Sequence, residues 1–156
     1  MSTRSQVIIK DDYDEQWFYR HSDGYPSGNL PQLQKLIKWY DDGLIRDNVE
    51  QSAGWLILIG AREYDHYHKF ENGKVKEIPK DDITTPSKKD FSSWKCGSYE
   101  ISVPQEHGDI NYLYTINLEN KTITIKDTYT ENTKTIPWSE LLTMNDSDFI
   151  KLEKEL

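Results

Sequence analysis

Residues 110–130, INYLYTINLENKTITIKDTYT, alternate apolar and polar side chains on both sides of a polar turn, and this alternation constrains the fold more than any other feature. Successive side chains of an extended chain point to opposite faces, so Ile110, Tyr112, Tyr114, Ile116 and Leu118 share one face, and residues 119–121 form the turn. A two-stranded ribbon with one apolar face is not stable alone in water. The rest of the chain must therefore supply strands to widen the sheet and helices to cover it.

The N-terminal part contains such elements. RSQVIIK (4–10) and QWFYRH (16–21) flank the acidic turn DDYDE (11–15) and predict an antiparallel hairpin. Trp17, Tyr19 and His21 fall on one face of its second strand, Phe18 and Arg20 on the other. Residues 22–29 read as a loop, because Asp23-Gly24 and Tyr25-Pro26-Ser27-Gly28 supply the positive-φ and fixed-φ positions that tight turns require. Asn29 then caps a helix with Pro31 in its first turn; Leu30, Leu33, Ile37, Tyr40 and Leu44 recur at spacings of three and four, and Gly43 ends it. A second helix is predicted over 48–62, although a buried strand fits its all-apolar middle equally well.

Residues 63–95 read as an irregular connection with a short strand pair around Gly73. CGSYEISV (96–103) reads as a strand, TIPWSELL (135–142) as a turn, and DSDFIKLEKEL (146–156) as a short helix capped by Asp146 or Ser147. The expected fold class is α+β. It is a single domain over 1–156, a mostly antiparallel sheet with two helices on one face and a short C-terminal helix. Within it, 1–62 carries the hairpin and two helices, 63–95 the connection, and 96–156 the second hairpin and last helix.

At 156 residues the chain can bury one core, and 5 Trp, 10 Tyr and 4 Phe offset a hydrophobic content of 35%. The 27 acidic against 19 basic residues give a net charge of −8, and no Lys/Arg run is present, so direct general nucleic-acid binding is not expected. An acidic surface suits either solubility or a basic patch on a partner protein. WLILIGA (55–61) is the longest apolar run and falls short of a membrane span, and no apolar leader follows Met1. Cys96, the one cysteine, permits no internal disulfide; these features predict a cytoplasmic protein.

Candidate site residues gather at the first loop. A hairpin brings Arg4 near the far end of the second strand, where Tyr19, Arg20, His21, Asp23 and Tyr25 follow. Two readings compete. In one, these residues form a pocket for a nucleotide-like small molecule, with bidentate Arg contacts, a Tyr stacking face and His21 as the local general base. In the other, Arg4 and Asp23 form a buried ion pair that pins the loop, with Tyr25 and Pro26 packed as a plug.

Other motifs carry less. His66 and His68 lie two apart, with Asp65 or His107 as a third metal ligand, yet solvated histidines account for them as well. DDYDE lacks the Gly and distal Glu of a calcium loop and reads as a solvated turn, in which Asp11, Asp12 and Asp14 offer an acidic docking face. Cys96 reads as a packing residue. Trp39, Trp94 and Tyr129 are candidate interface anchors or core residues. No cofactor is implied.

Thr3, Arg4 and Ser5, then Tyr19-Arg20 and Asp23-Gly24-Tyr25-Pro26 closely followed by Gly28, carry a family resemblance. The N-terminal part resembles a widespread set of small phage and prophage proteins with a Thr-Arg-Ser-like opening and an Asp-Gly-Tyr-Pro core. SAGWLILIGA (52–61) sits where those proteins carry a second apolar helix. The resemblance implies an accessory protein in the bacterial host cytoplasm and no particular chemistry; because many small phage proteins block host defence by binding, stoichiometric binding to a host protein, a component of a defence system, is expected.

Overall fold

The computed structural model describes residues 2–63, 66–71, 74–79 and 98–156, with the backbone alone described between 66 and 79. It opens with the expected antiparallel hairpin of β1 (Ser5–Lys10) and β2 (Glu15–Arg20), in which Val7 lies opposite Phe18 and Ser5 opposite Arg20. Two helices follow, α1 (Pro26–Asp41) and α2 (Val49–Arg62), then the strand pair β3 (His66–Glu71) and β4 (Lys74–Pro79) on either side of Gly73. The last third holds β5 (Glu100–Ser102), the ribbon β6 (Tyr112–Asn117) and β7 (Thr122–Asp127), β8 (Thr133–Pro137), the single turn α3 (Trp138–Leu141), and α4 (Asp146–Glu155).

These strands build a six-stranded sheet in the order β5-β2-β1-β6-β7-β8. Only the central pair, β1 with β6, is parallel, and its register sets Val7 beside Tyr114 and Ile9 beside Ile116. One face thus carries Val7, Ile9, Phe18, Tyr114, Ile116, Ile123 and Ile125, all fully buried beneath the helices. Those helices contribute Leu30, Leu33, Leu36 and Ile37 from α1, Leu56 and Ile59 from α2, and Phe149 and Leu152 from α4. The chain is an α+β domain, because an amphipathic sheet is closed by a layer of amphipathic helices on one side.

Several boundaries differ from the sequence-based expectation, each for a local reason. α1 starts at Pro26, one turn before the expected cap: Tyr25 is extended (φ −68°, ψ 155°), its carbonyl accepts from the Gly28 and Asn29 amides, and Pro26 needs no partner for its missing N–H. Asn29 is inside the fold and Pro31 lies within the helix. Leu44 is 69% exposed, because α1 has ended and Gly43 has turned the chain at φ +70°. α2 is helical, with Asn48 accepting from the Gln51 amide at 2.8 Å. TIPWSELL is not a turn: β8 pairs with β7, and Trp138 begins the short α3. Asn145 rather than Asp146 or Ser147 caps α4, in a reciprocal box with Asp148.

Gly24 is where the N-terminal strand and the first loop meet. Its amide donates to the Thr3 carbonyl at 2.9 Å, and a Cβ there would lie 2.6 Å from Ser5 Oγ and 2.8 Å from the Thr3 carbonyl oxygen. Gly54, on α2, has open space at the same position. Gly24→Ala is therefore expected to destabilise the protein by about 1–3 kcal/mol. Gly54→Ala should stabilise it by about 0.5–1 kcal/mol. Denaturant unfolding of the two variants checks both; equal effects would contradict this packing.

Candidate functional site

The first loop is held from within by an ion pair. Arg20 is 1% exposed; its Nη2 donates to Glu63 Oε2 at 2.8 Å, its Nη1 lies 2.7 Å from Oε1, and its Nε donates to the Ser22 carbonyl at 2.7 Å. Glu63 ends α2, and Ser98 Oγ donates to its Oε2 at 2.7 Å. The guanidinium lies over the Tyr99 ring, 5.2 Å from its centroid, and the Tyr99 hydroxyl bonds Asn29 Oδ1. The Tyr114 hydroxyl donates to the Gly24 carbonyl at 2.6 Å. A single buried network thus ties the end of β2, the loop, α1, α2 and residues 98–99 together, each charge meeting a partner as burial requires.

The six residues of the expected pocket do not converge. Arg20 points to the helix-covered face, whereas Arg4, Tyr19 and His21 gather on the other. There the Tyr19 hydroxyl bonds His21 Nδ1 at 2.9 Å, and the Tyr19 ring packs against His107, centroids 5.5 Å apart. Arg4 pairs with Asp109 at 3.4 Å, so its partner is not Asp23. Asp23 adopts a left-handed conformation (φ +57°) and accepts from the Tyr25 hydroxyl at 3.4 Å. Tyr25 is half-buried at the outer end of the loop.

Residues 103–110 close this second face. Buried Gln6 holds them by its side chain alone: Nε2 donates to Ser102 Oγ at 3.1 Å and the Gln105 carbonyl at 3.0 Å, and Oε1 accepts from the His107 amide at 2.8 Å. His107 and Asp109 thereby reach Tyr19 and Arg4 from a distant part of the chain. Pro104 and Gly108 mark this segment as a loop, but nothing in the local pattern says where it lands. Burial raises the Tyr19 hydroxyl pKa, with Arg4 pulling it back.

Asp11, Asp12 and Asp14 sit at the opposite end of the sheet, in the β1–β2 turn. Asp11 Oδ1 accepts from the Tyr13 and Asp14 amides at 2.8 and 2.7 Å, and these bonds hold its carboxyl below the usual range. Trp39 packs edge-on against Trp55, centroids 5.5 Å apart, and lies half-buried against the core, whereas Tyr129 is 91% exposed. Trp94, Cys96 and Asp65 lie outside the described residues, as do the side chains of His66 and His68. Among the described residues no three His, Cys, Asp or Glu side chains are placed to hold a metal, and no helix is long and apolar enough to cross a membrane.

No family model, curated protein or solved structure matches this chain.

Two tyrosines of the network have a consequence for pH. Burial pushes the hydroxyls of Tyr99 and Tyr114 well above the ordinary tyrosine value, with Arg20 opposing the effect at both. An unfolded tyrosine ionises near about pH 10, so the unfolded state loses these protons first as pH rises. Their contribution is complete below that value and declines above it. Thermal melts should show a midpoint that falls once pH passes about 10, with Tyr99 and Tyr114 ionising only on unfolding. A midpoint unchanged through that range would contradict the burial of these hydroxyls.

Proposed function

We propose that this chain acts by stoichiometric binding to a protein partner that presents a basic surface. In the setting that the N-terminal resemblance implies, it is a phage-type accessory protein, the partner is a host protein, and the effect is inhibition of a defence system. One observation carries the reading. Tyr13 is 87% exposed at the tip of a turn that Asp11 holds rigid, with Asp12, Asp14 and Glu15 beside it. A large aromatic on a preordered acidic turn loses little conformational freedom on docking, and Tyr is among the residues that dominate interface energetics.

Charge complementarity at such a rim speeds encounter and makes it sensitive to salt. Asp11 is different from its neighbours, because its carboxylate builds the turn. Variants that test the docking face should therefore leave it intact.

A second reading, a phosphate-bearing small ligand, is favoured by the grouping of Arg4, Tyr19 and His21 on one face. It no longer includes Arg20, whose charge Glu63 neutralises inside the fold.

The test is capture of partners from bacterial lysate by the intact protein, followed by native mass spectrometry and titration of the captured protein. Tyr13→Ala is expected to weaken the complex about tenfold or more. Asp12→Lys with Asp14→Lys should weaken it and flatten its salt dependence. Unchanged affinity in both variants would remove the turn from the interface. A mass increase of nucleotide size, lost in Arg4→Ala, would favour the second reading instead.

A further inference from the structure

Tyr25 of the first loop opens into a groove that the loop alone does not define. The groove, about 430 Å³, lies at the end of the sheet opposite the acidic turn, between Tyr25, Tyr112, Tyr129, Asn111, Asp127 and Glu153. Its walls come from the start of α1, β6, the turn after β7, and α4. A second groove of about 440 Å³ lies on the other side of Asn111 and Tyr129. The two have similar size but different charge states.

In the second groove each carboxylate has a cation. Glu106 faces Lys126 at 3.6 Å, and Asp109 faces Arg4 at 3.4 Å. In the tyrosine-lined groove, no Lys, Arg or His among the described residues lies within 4.0 Å of Asp127 or Glu153. Both carboxylates are nonetheless fixed, and each uses one oxygen for that purpose. Asp127 Oδ1 accepts from the Tyr129 and Thr130 amides at 2.8 and 3.2 Å, and Glu153 Oε1 accepts from the Ser27 amide and hydroxyl, both at 3.1 Å. These bonds explain why the residues are acidic or polar. They do not compensate two negative charges beside three aromatic rings.

We propose that this groove receives one cationic side chain, a lysine or arginine, from a partner protein. A cation held over tyrosine faces gains from the ring quadrupole, most where water is thinned, and the free carboxylate oxygens supply the counter-charge. An anion would be repelled, and a purely apolar group would strip water from the carboxylates without replacing it. The negative field already acts on the walls: the Tyr25 hydroxyl pKa is raised chiefly by Asp23, then by burial and Glu153, and that of Tyr112 by burial, then by Asp127 and Glu153. The inference rests on the protein-binding reading for the source of the cation and places a second contact at the far end of the sheet from Tyr13.

The test is an NMR titration of the intact protein with N-acetyl-arginine amide at low salt, with N-acetyl-norleucine amide as the uncharged comparison. Saturable shifts of the Tyr25, Tyr112 and Tyr129 ring signals are expected in roughly the millimolar range, given so small a ligand. Asp127→Asn with Glu153→Gln keeps the acceptor oxygens that bond Tyr129, Thr130 and Ser27, and should weaken the arginine midpoint at least tenfold while leaving the melting temperature near that of the parent. Asp12→Lys with Asp14→Lys should leave it unchanged. Equal response to the norleucine amide, or an arginine midpoint unmoved in the neutralised variant, would overturn the groove. A captured partner indifferent to the neutralised variant would overturn it too, while leaving the protein-binding reading standing. Saturable arginine binding with no protein captured from lysate would uphold the cation site and overturn its assignment to a partner protein.

Discussion

The guanidinium of Arg20 has been carried out of water, and the fold around it is arranged so that this is tolerable. An unpaired buried charge is among the most destabilising features a protein can contain, so the end of β2 and the end of α2 have to arrive together. Glu63 supplies the counter-charge, Ser98 also donates to the Oε2 that Arg20 Nη2 bonds, and the Ser22 carbonyl accepts from the Arg20 Nε–H. Gly60 lets residues 98–99 pass directly over α2, since a Cβ there would meet the Tyr99 ring at 2.7 Å. The ion pair thus sets where the second half of the chain rejoins the first.

This arrangement gives the Asp-Gly-Tyr-Pro stretch an inner and an outer side. Gly24 is pressed against Thr3 and Ser5 and accepts from Tyr114, while Pro26 is buried at the start of α1. These positions are structural. Tyr25 faces the other way, into the groove with Tyr112 and Tyr129, and Arg4 faces the second sheet surface with Tyr19 and His107. A loop rich in Arg, His, Asp and Tyr can look like one pocket in sequence and yet divide its side chains among a core and two surfaces.

What could be read in advance follows from period. The β6–β7 ribbon, the β1–β2 hairpin and the apolar face of α1 announce themselves, because a spacing of two or of three and four is a direct image of the backbone, whereas the all-apolar middle of α2 fits helix and strand alike. β8 was hidden, since it turns only Ile136 fully inward and ends in Pro137. The start of α1 falls one turn before the Asn29 cap that the sequence suggests, because Pro26, assigned to the loop, itself suits a first helical turn. Long-range partners were not legible at all. Nothing near Arg20 points to Glu63, 43 positions away, and nothing near Tyr25 points to Glu153. The parallel pairing of β1 with β6 is of the same kind: each strand reads correctly, while their adjacency is decided by the assembled core.

The measurement that bears most directly on this account is a double-mutant cycle on the buried pair, using Arg20→Met and Glu63→Leu singly and together, followed by denaturant unfolding. If the ion pair organises the junction, each single variant strands a buried charge and loses about 3–5 kcal/mol, and the double variant is far less destabilised than their sum. Small, additive losses would contradict it and would place the organising contact elsewhere in the loop.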